Sequence, residues 1–482
     1  MPSIKDIKIP YPTEGVIRSS QLSDTVCPEN SVQLAINMNF DRIGSITTRL
    51  GIEALDVDLA GSVTSFGTIN ILGSTKRLFG QVAKDISAWN GTTWTSVRTT
   101  TVTTKARFSQ FLNRTWMVNG SAGDAVMTSN GGAFDTTDVP ATFPKGDFIE
   151  AGFDGRVWVA NATKDILYFT DIVQSTDGTS YDALTFELTT NFITKFSPQN
   201  GESITGLFRV PKALLLFKEN HIYRVYGVDN VDPYPAYNVG TFSQESIVQG
   251  KNGIYFHHSS GFYKFNYDSQ PTEISRRISD FVKAIPRTSY ENVVGVYDGT
   301  DSIKWSVGPI TVEGVAYANC QLRYTLSTQV WTIYDFASIG ITALIRYDDG
   351  TTIEQIAGTS TGLVGKLDTG NTDFDNSIYY EMIDRWRSFT DMYSHSKKLS
   401  GLAIMSENAA GAVVQYQVNK EDVNVWHNIG TLKSDYARLF PSEKTKDFNL
   451  IRLRINGNST GTPIIFNGTE ILLLEDAGFE EN

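Results

Sequence analysis

Ala213-Leu214-Leu215-Leu216-Phe217, then a short turn and His221-Ile222-Tyr223-Arg224-Val225-Tyr226, decide the fold. The first segment is apolar at every position, so a strand built from it must be covered on both faces. A blade of a β-propeller is covered in that way, by the blade before it and the blade after it. An open two-layer sheet asks for stricter alternation; two stacked sandwiches are the plainer alternative.

Paired segments of the same kind lie on either side. Upstream are Gly155-Arg156-Val157-Trp158-Val159-Ala160 and Ile166-Leu167-Tyr168-Phe169; downstream are Gly253-Ile254-Tyr255-Phe256 and Gly261-Phe262-Tyr263-Lys264-Phe265. Units of this pattern begin near Phe66, Phe108, Ile149, Ile204, Ile247, Val293 and Ile341, with gaps of 42, 41, 55, 43, 46 and 48 residues. Four short strands with their turns need about 40–50 residues, which is the period of a propeller blade. Asn-Gly at Asn90 and Asn252 and Asp-Gly at Asp154, Asp298 and Asp349 supply residues that tolerate tight hairpin turns. Ser275 to Ile285 reads as one short helix, with Ser275 as its cap, Ile278, Phe281, Val282 and Ile285 on one face, and Pro286 as its stop.

The expected fold is therefore all-β: a β-propeller of about six to eight blades over residues 51–370, followed by a β-sandwich over 371–482. Residues 371–376 read as a linker. Residues 1–50 have little periodicity and read as an extended arm that closes or wraps the ring.

Composition narrows the function. The 482-residue chain is 40% hydrophobic and carries a net charge of −12, with no long basic run. Tight DNA binding needs many Lys or Arg contacts to phosphate, which this balance disfavours; a wall along which DNA slides is compatible with it. Cys27 and Cys320 are too few for a disulfide framework or a zinc cluster and are expected to be reduced. No secretory signal opens the sequence, and no apolar run approaches the ~18 residues that span a bilayer.

Chemistry-bearing motifs are sparse. His221, His257, His258, His395 and His427 show no metal-ligand spacing, and the neighbours His257 and His258 point to opposite faces of a strand. Neither a phosphate-binding glycine loop nor a Gly-x-Ser-x-Gly elbow is present. Ser175-Thr176-Asp177-Gly178-Thr179-Ser180-Tyr181 approximates the Ser-x-Asp-x-Gly-x-x-aromatic turn of propeller glycosidases but lacks one residue between Asp and Gly. A glycosidase would also need an arginine cluster and a Tyr–Glu pair in the central funnel. The expectation is a non-enzyme with no catalytic, cofactor-binding or metal residues and no cofactor.

Several stretches resemble the β-propeller tail accessory factors of short-tailed bacteriophages, also called packaged-DNA stabilisation or nozzle proteins. The first runs from Pro28-Glu29-Asn30-Ser31 through Ala35-Ile36-Asn37-Met38-Asn39 to Gly44, Thr48-Arg49 and Leu50-Gly51. Others are Ile204 to Leu207 with Leu214 to Phe217, Gly253 to Phe256 with Gly261 to Phe265, and Leu322-Arg323-Tyr324 with Gln329-Val330-Trp331-Thr332. The resemblance implies a virion protein assembled in the host cytoplasm. It implies a ring of six copies below the portal and adaptor, extending the DNA channel, retaining packaged DNA without sequence-specific contacts, and seating a needle or fibres. A receptor- or fibre-binding propeller module is the rival reading.

Overall fold

The computed structural model describes residues 4–10, 12–19, 27–42, 44–55, 57–71, 76–178, 181, 183–194, 196, 201–232, 237–267, 269–388, 397–419, 425–433, 435–441, 447–459 and 461–475. Eight sheets are formed among them, and seven of the eight are arranged about one axis as blades. The fold is a β-propeller. Its inner strands are Val63–Asn70, Arg107–Phe111, Phe148–Phe153, Ile204–Val210, Val248–Gly250, Val294–Tyr297 and Ile341–Asp348, for blades 1 to 7 in order. Each lies at one of the unit starts read from the sequence.

The apolar segment of blade 4 shows why the fold forms. Ala213–Lys218 is buried at all six positions. Leu214 and Leu216 pack with Trp158, Phe169, Tyr223 and Val225 towards blade 3. Ala213, Leu215 and Phe217 pack with Ile254, Phe256 and Phe265 of blade 5. One strand thus feeds two inter-blade cores, each fully buried leucine contributing about 1.5–3 kcal/mol. Buried lysines add polar fastening between blades. Lys218 of blade 4 donates to Asp165 Oδ2 of blade 3 at 2.7 Å, and Lys304 of blade 6 bonds Asp368 and Gln355 of blade 7.

Hairpin chemistry follows the sequence with local variation. Asp154 and Gly155 both have positive φ, at 52° and 66°, and join Phe148–Phe153 to Arg156–Asn161 as a two-residue turn. At Asn90-Gly91 the loop is four residues long, between paired Trp89 and Trp94. There the Asn90 side chain accepts from the Thr92 and Thr93 amides. The helix lies where expected, as a 3-10 turn at Arg276–Ile278 running into Ser279–Ala284. Ser275 does not cap it: its Oγ accepts from the Phe262 amide instead, tying the helix approach to blade 5.

Blade 7 is completed by Ile52–Ala54, which pairs with Val364–Leu367 and so joins the two ends of the ring. The outer strand of blade 6, Val330–Asp335, meets Val32–Ile36 through a parallel pair at Ile36 and Ile333. From there the sheet continues through Ile378–Asp384, Ile451–Ser459, Val413–Val418 and His427–Thr431, giving nine strands in all. A six-stranded sheet faces it, built from Ile4–Lys8, Met38–Arg42, Ser45–Thr48, Ile465–Glu475, Lys397–Glu407 and Tyr436–Leu439. Leu34, Ile36, Leu402, Ile404, Val414, Leu453 and Ile455 share the core between them. Of residues 1–50, read as an arm, Ile4–Lys8, Met38–Arg42 and Ser45–Thr48 thus enter one layer of the sandwich and Val32–Ile36 the other, because segments with so little period of their own are placed by the strand edges they meet in the folded chain.

The segment 371–376, read as a linker, is fastened. Asp373 receives Nη1 and Nη2 of Arg49 at 2.8 and 2.5 Å, and both side chains are buried. Arg49 Nε donates to Asn37 Oδ1 at 2.8 Å, and the guanidinium lies 4.1 Å from the Phe336 ring centre. Asn37, at φ 56°, donates from Nδ2 to the carbonyls of Asp335 and Tyr379. Tyr334 donates to Asn39 Oδ1, and Asp41 takes a two-pronged bond from Arg323. Asn37, Asn39 and Arg49 therefore tie blade 6 and the segment after blade 7 to the sandwich.

Candidate functional site

The inner strands surround an axial cavity of about 450 Å³, bordered by residues from all seven blades. Its wall carries Arg107, Glu150, Glu245 and Arg346 among Phe66, Phe108, Phe208, Gln249 and Tyr297. Side chains stitch the neighbouring inner strands together. Ser109 Oγ of blade 2 accepts from the Ala151 amide of blade 3, and Arg209 Nη1 of blade 4 donates to the Ala151 carbonyl. Gln244 brackets the backbone of Leu207, accepting from its amide and donating to its carbonyl. Thr342 donates to the Val63 carbonyl, joining blade 7 to blade 1.

One ion cluster crosses the axis. Arg107 of blade 2 donates from Nε to Glu245 Oε1 of blade 5 at 3.0 Å, and Lys105 lies 3.7 Å from Oε2. These blades are not neighbours, so the pair spans the channel near the ends where the inner strands begin. Arg107 is also held by the Asp147 carbonyl and the Phe148 ring. Burial works against charge on Glu245, but the Arg107 and Lys105 charges prevail and hold its carboxyl down at about 2.

Glu150 of blade 3 behaves in the opposite way. Burial pushes its carboxyl up to about 7, and its nearest partners are too distant to reverse this. Arg209 Nε stands 3.7 Å away and Ser109 Oγ 3.5 Å away, at or beyond the limit of a hydrogen bond. Tyr297 donates its hydroxyl to the Thr300 carbonyl rather than to either glutamate.

The four described histidines lie away from this channel wall. His257 is fully buried between Phe262 and Tyr290, and neither ring nitrogen has a hydrogen-bond partner. His258 bonds Ser260 and Asn220, His221 bonds Glu202, and His427 packs at a tilt against Tyr416. His395 lies outside the described residues. Among the described residues no three His, Cys, Asp or Glu side chains gather as metal ligands. Of the glycosidase-like turn, Ser175 to Gly178 and Tyr181 are described, and they sit between the bridge partners Gln174 and Ala183 at the outer part of blade 3. There Tyr181 donates to the Asp138 carbonyl and packs on Trp116. Cys27 and Cys320 are both free thiols, and burial raises the latter well above the usual range. Sequence reading missed the channel residues because Arg107 and Glu245 are 138 positions apart and carry no motif.

The fold has known counterparts. Virginiamycin B lyase from Staphylococcus aureus matches 66% of this chain with 98% of its own, at 16% identity and a TM-score of 0.43. The Pan2 WD40 domain of Neurospora crassa matches 68% with 97% of its own, at 7% identity and a TM-score of 0.41. YCF48 from Cyanidioschyzon merolae matches 66% with 98%, at 11% identity and a TM-score of 0.38. These likenesses concern the fold alone, and one of the proteins is by name an enzyme. No family model matches the sequence, and neither does any curated protein.

Proposed function

We propose that this chain is a structural, non-enzymatic building block of a short-tailed bacteriophage tail, forming a ring below the portal and adaptor. The observation that carries this reading is the union of propeller and sandwich through Asn37, Asn39, Arg49 and Asp373, with one sheet running through both. Three of those residues belong to the stretch that resembles the phage proteins. A ring that resists internal pressure needs subunits that do not hinge, and a continuous sheet with buried charge-assisted bonds supplies that stiffness. The duplex would pass through the lumen between subunits. The propeller's own axis, with a cavity of about 450 Å³ crossed by an ion cluster, is far too small for it.

Light scattering and negative-stain imaging of the purified chain, alone and with a portal–adaptor complex, test the proposal. Six-fold rings, or addition of a distal ring to the complex, are expected. A monomer that ignores the complex overturns it.

A further inference from the structure

Arg346 sets the axial cavity apart from a merely structural channel. Arg107 and Arg209 are engaged with Glu245 and Glu150. Arg346 borders the cavity, is exposed, and has no hydrogen-bond or ion-pair partner among the described residues. It rests on Gly299, at φ 85°, where a Cβ would fall 2.7 Å from its Nη2. The glycine leaves the guanidinium a flat seat beside the cavity.

We propose that the axial cavity binds a small anionic molecule, a carboxylate or phosphate compound, with Arg346 as its anchor. The wall itself carries two cations, Arg107 and Arg346, and two carboxylates, Glu150 and Glu245. Lys105 and Arg209 stand beside it with Glu245 and Glu150. Asp298, beside Gly299, accepts from the amides of Thr300, Asp301 and Ser302. Arg346 is thus the lining cation left without an ion-pair partner among the described residues, in a chain of net charge −12. A narrow cleft with low-dielectric walls focuses its field on a counter-ion. The upward shift of Glu150 removes part of the opposing negative charge near neutral pH. The volume of about 450 Å³ falls within the range of roughly 300–1,000 Å³ typical of small-molecule sites. Phe66, Phe108 and Phe208 offer apolar wall to a carbon skeleton. Arg107 stands at the start of its inner strand and Arg346 near the end of its own, so the ligand enters from the mouth opposite the ion cluster.

Calorimetric titration of the full chain with inorganic phosphate and with citrate, with glucose as the neutral control, tests the site. Saturable binding of at least one anion is expected, weakened by added salt and weakened about tenfold or more in Arg346→Gln. Arg346→Lys should recover part of the loss, since it restores the charge without the planar fork. Arg346 is exposed, so each variant should melt with the wild type, which separates lost binding from lost fold. The inference fails if neither anion saturates by ~10 mM, if Arg346→Gln binds as the wild type does, or if only glucose binds. Ring formation is read in a separate experiment, so either proposal can fail alone.

Discussion

Replacing His257 by leucine should remove a pH dependence that the wild-type protein carries. The imidazole is fully buried between Phe262, with ring centres 5.0 Å apart, and Tyr290, at 5.1 Å. Neither nitrogen has a partner, so a proton placed there meets no acceptor. Burial, aided slightly by His258, lowers its pKa from 6.5 to about 3. A histidine depressed in this way is neutral in the fold and takes up a proton only on unfolding. Its contribution is intact above pH 6.5 and is lost as pH falls below it. At pH 5 the unfolded chain binds protons about 30-fold more favourably at this site, or about 2 kcal/mol, and at pH 7.5 about 0.1 kcal/mol. Any folded value below about 4.5 gives nearly the same answer. Urea unfolding followed by tryptophan fluorescence, at pH 7.5 and 5.0, reads this directly. The wild type should lose about 2 kcal/mol more than His257→Leu between the two conditions. Repacking around leucine adds an offset that does not change with pH. Parallel losses in the two proteins would refute the reasoning and show that His257 already finds a partner or water in the folded state.

Glu150 works in the opposite direction. Its carboxyl is raised from 4.5 to about 7 in the fold, so it costs stability as pH climbs through that window. Glu150→Gln should therefore gain about 2.5 kcal/mol on the wild type between pH 5 and pH 8 in the same unfolding assay; an unchanged difference would mean that channel water solvates the carboxylate. In the wild type the two groups offset each other between about pH 5 and 7, so only the single variants expose them. Asp373→Ala strands the buried Arg49 guanidinium and should cost about 3–5 kcal/mol. Limited proteolysis should then cut between the propeller and the sandwich; a variant as resistant as the wild type would remove the junction from the stiffness argument.

The blade pattern was legible in the sequence because it is written in short-range terms. A strand apolar on both faces, as at Leu214 to Phe217, demands two neighbours wherever it occurs. A repeat of such strands every 41 to 55 residues closes on itself. The helix before Pro286 was equally local, down to its apolar face. The cap at Ser275 was not, because the amide of Phe262, thirteen residues away, competes for the same oxygen. The decisive polar contacts are longer still. Arg49 reaches Asp373 across 324 positions, and Arg107 reaches Glu245 across 138. Charged side chains carry no period, and an arginine bound for a buried junction reads the same as one bound for solvent. Hydrophobic spacing by itself determined the strands, their repeat and hence the propeller. Only the folded chain decided which charges meet, which histidine is buried without a partner, and that Ile4–Lys8, Val32–Ile36, Met38–Arg42 and Ser45–Thr48 join the strands of the C-terminal sandwich, since those outcomes depend on through-space neighbours that no local pattern encodes.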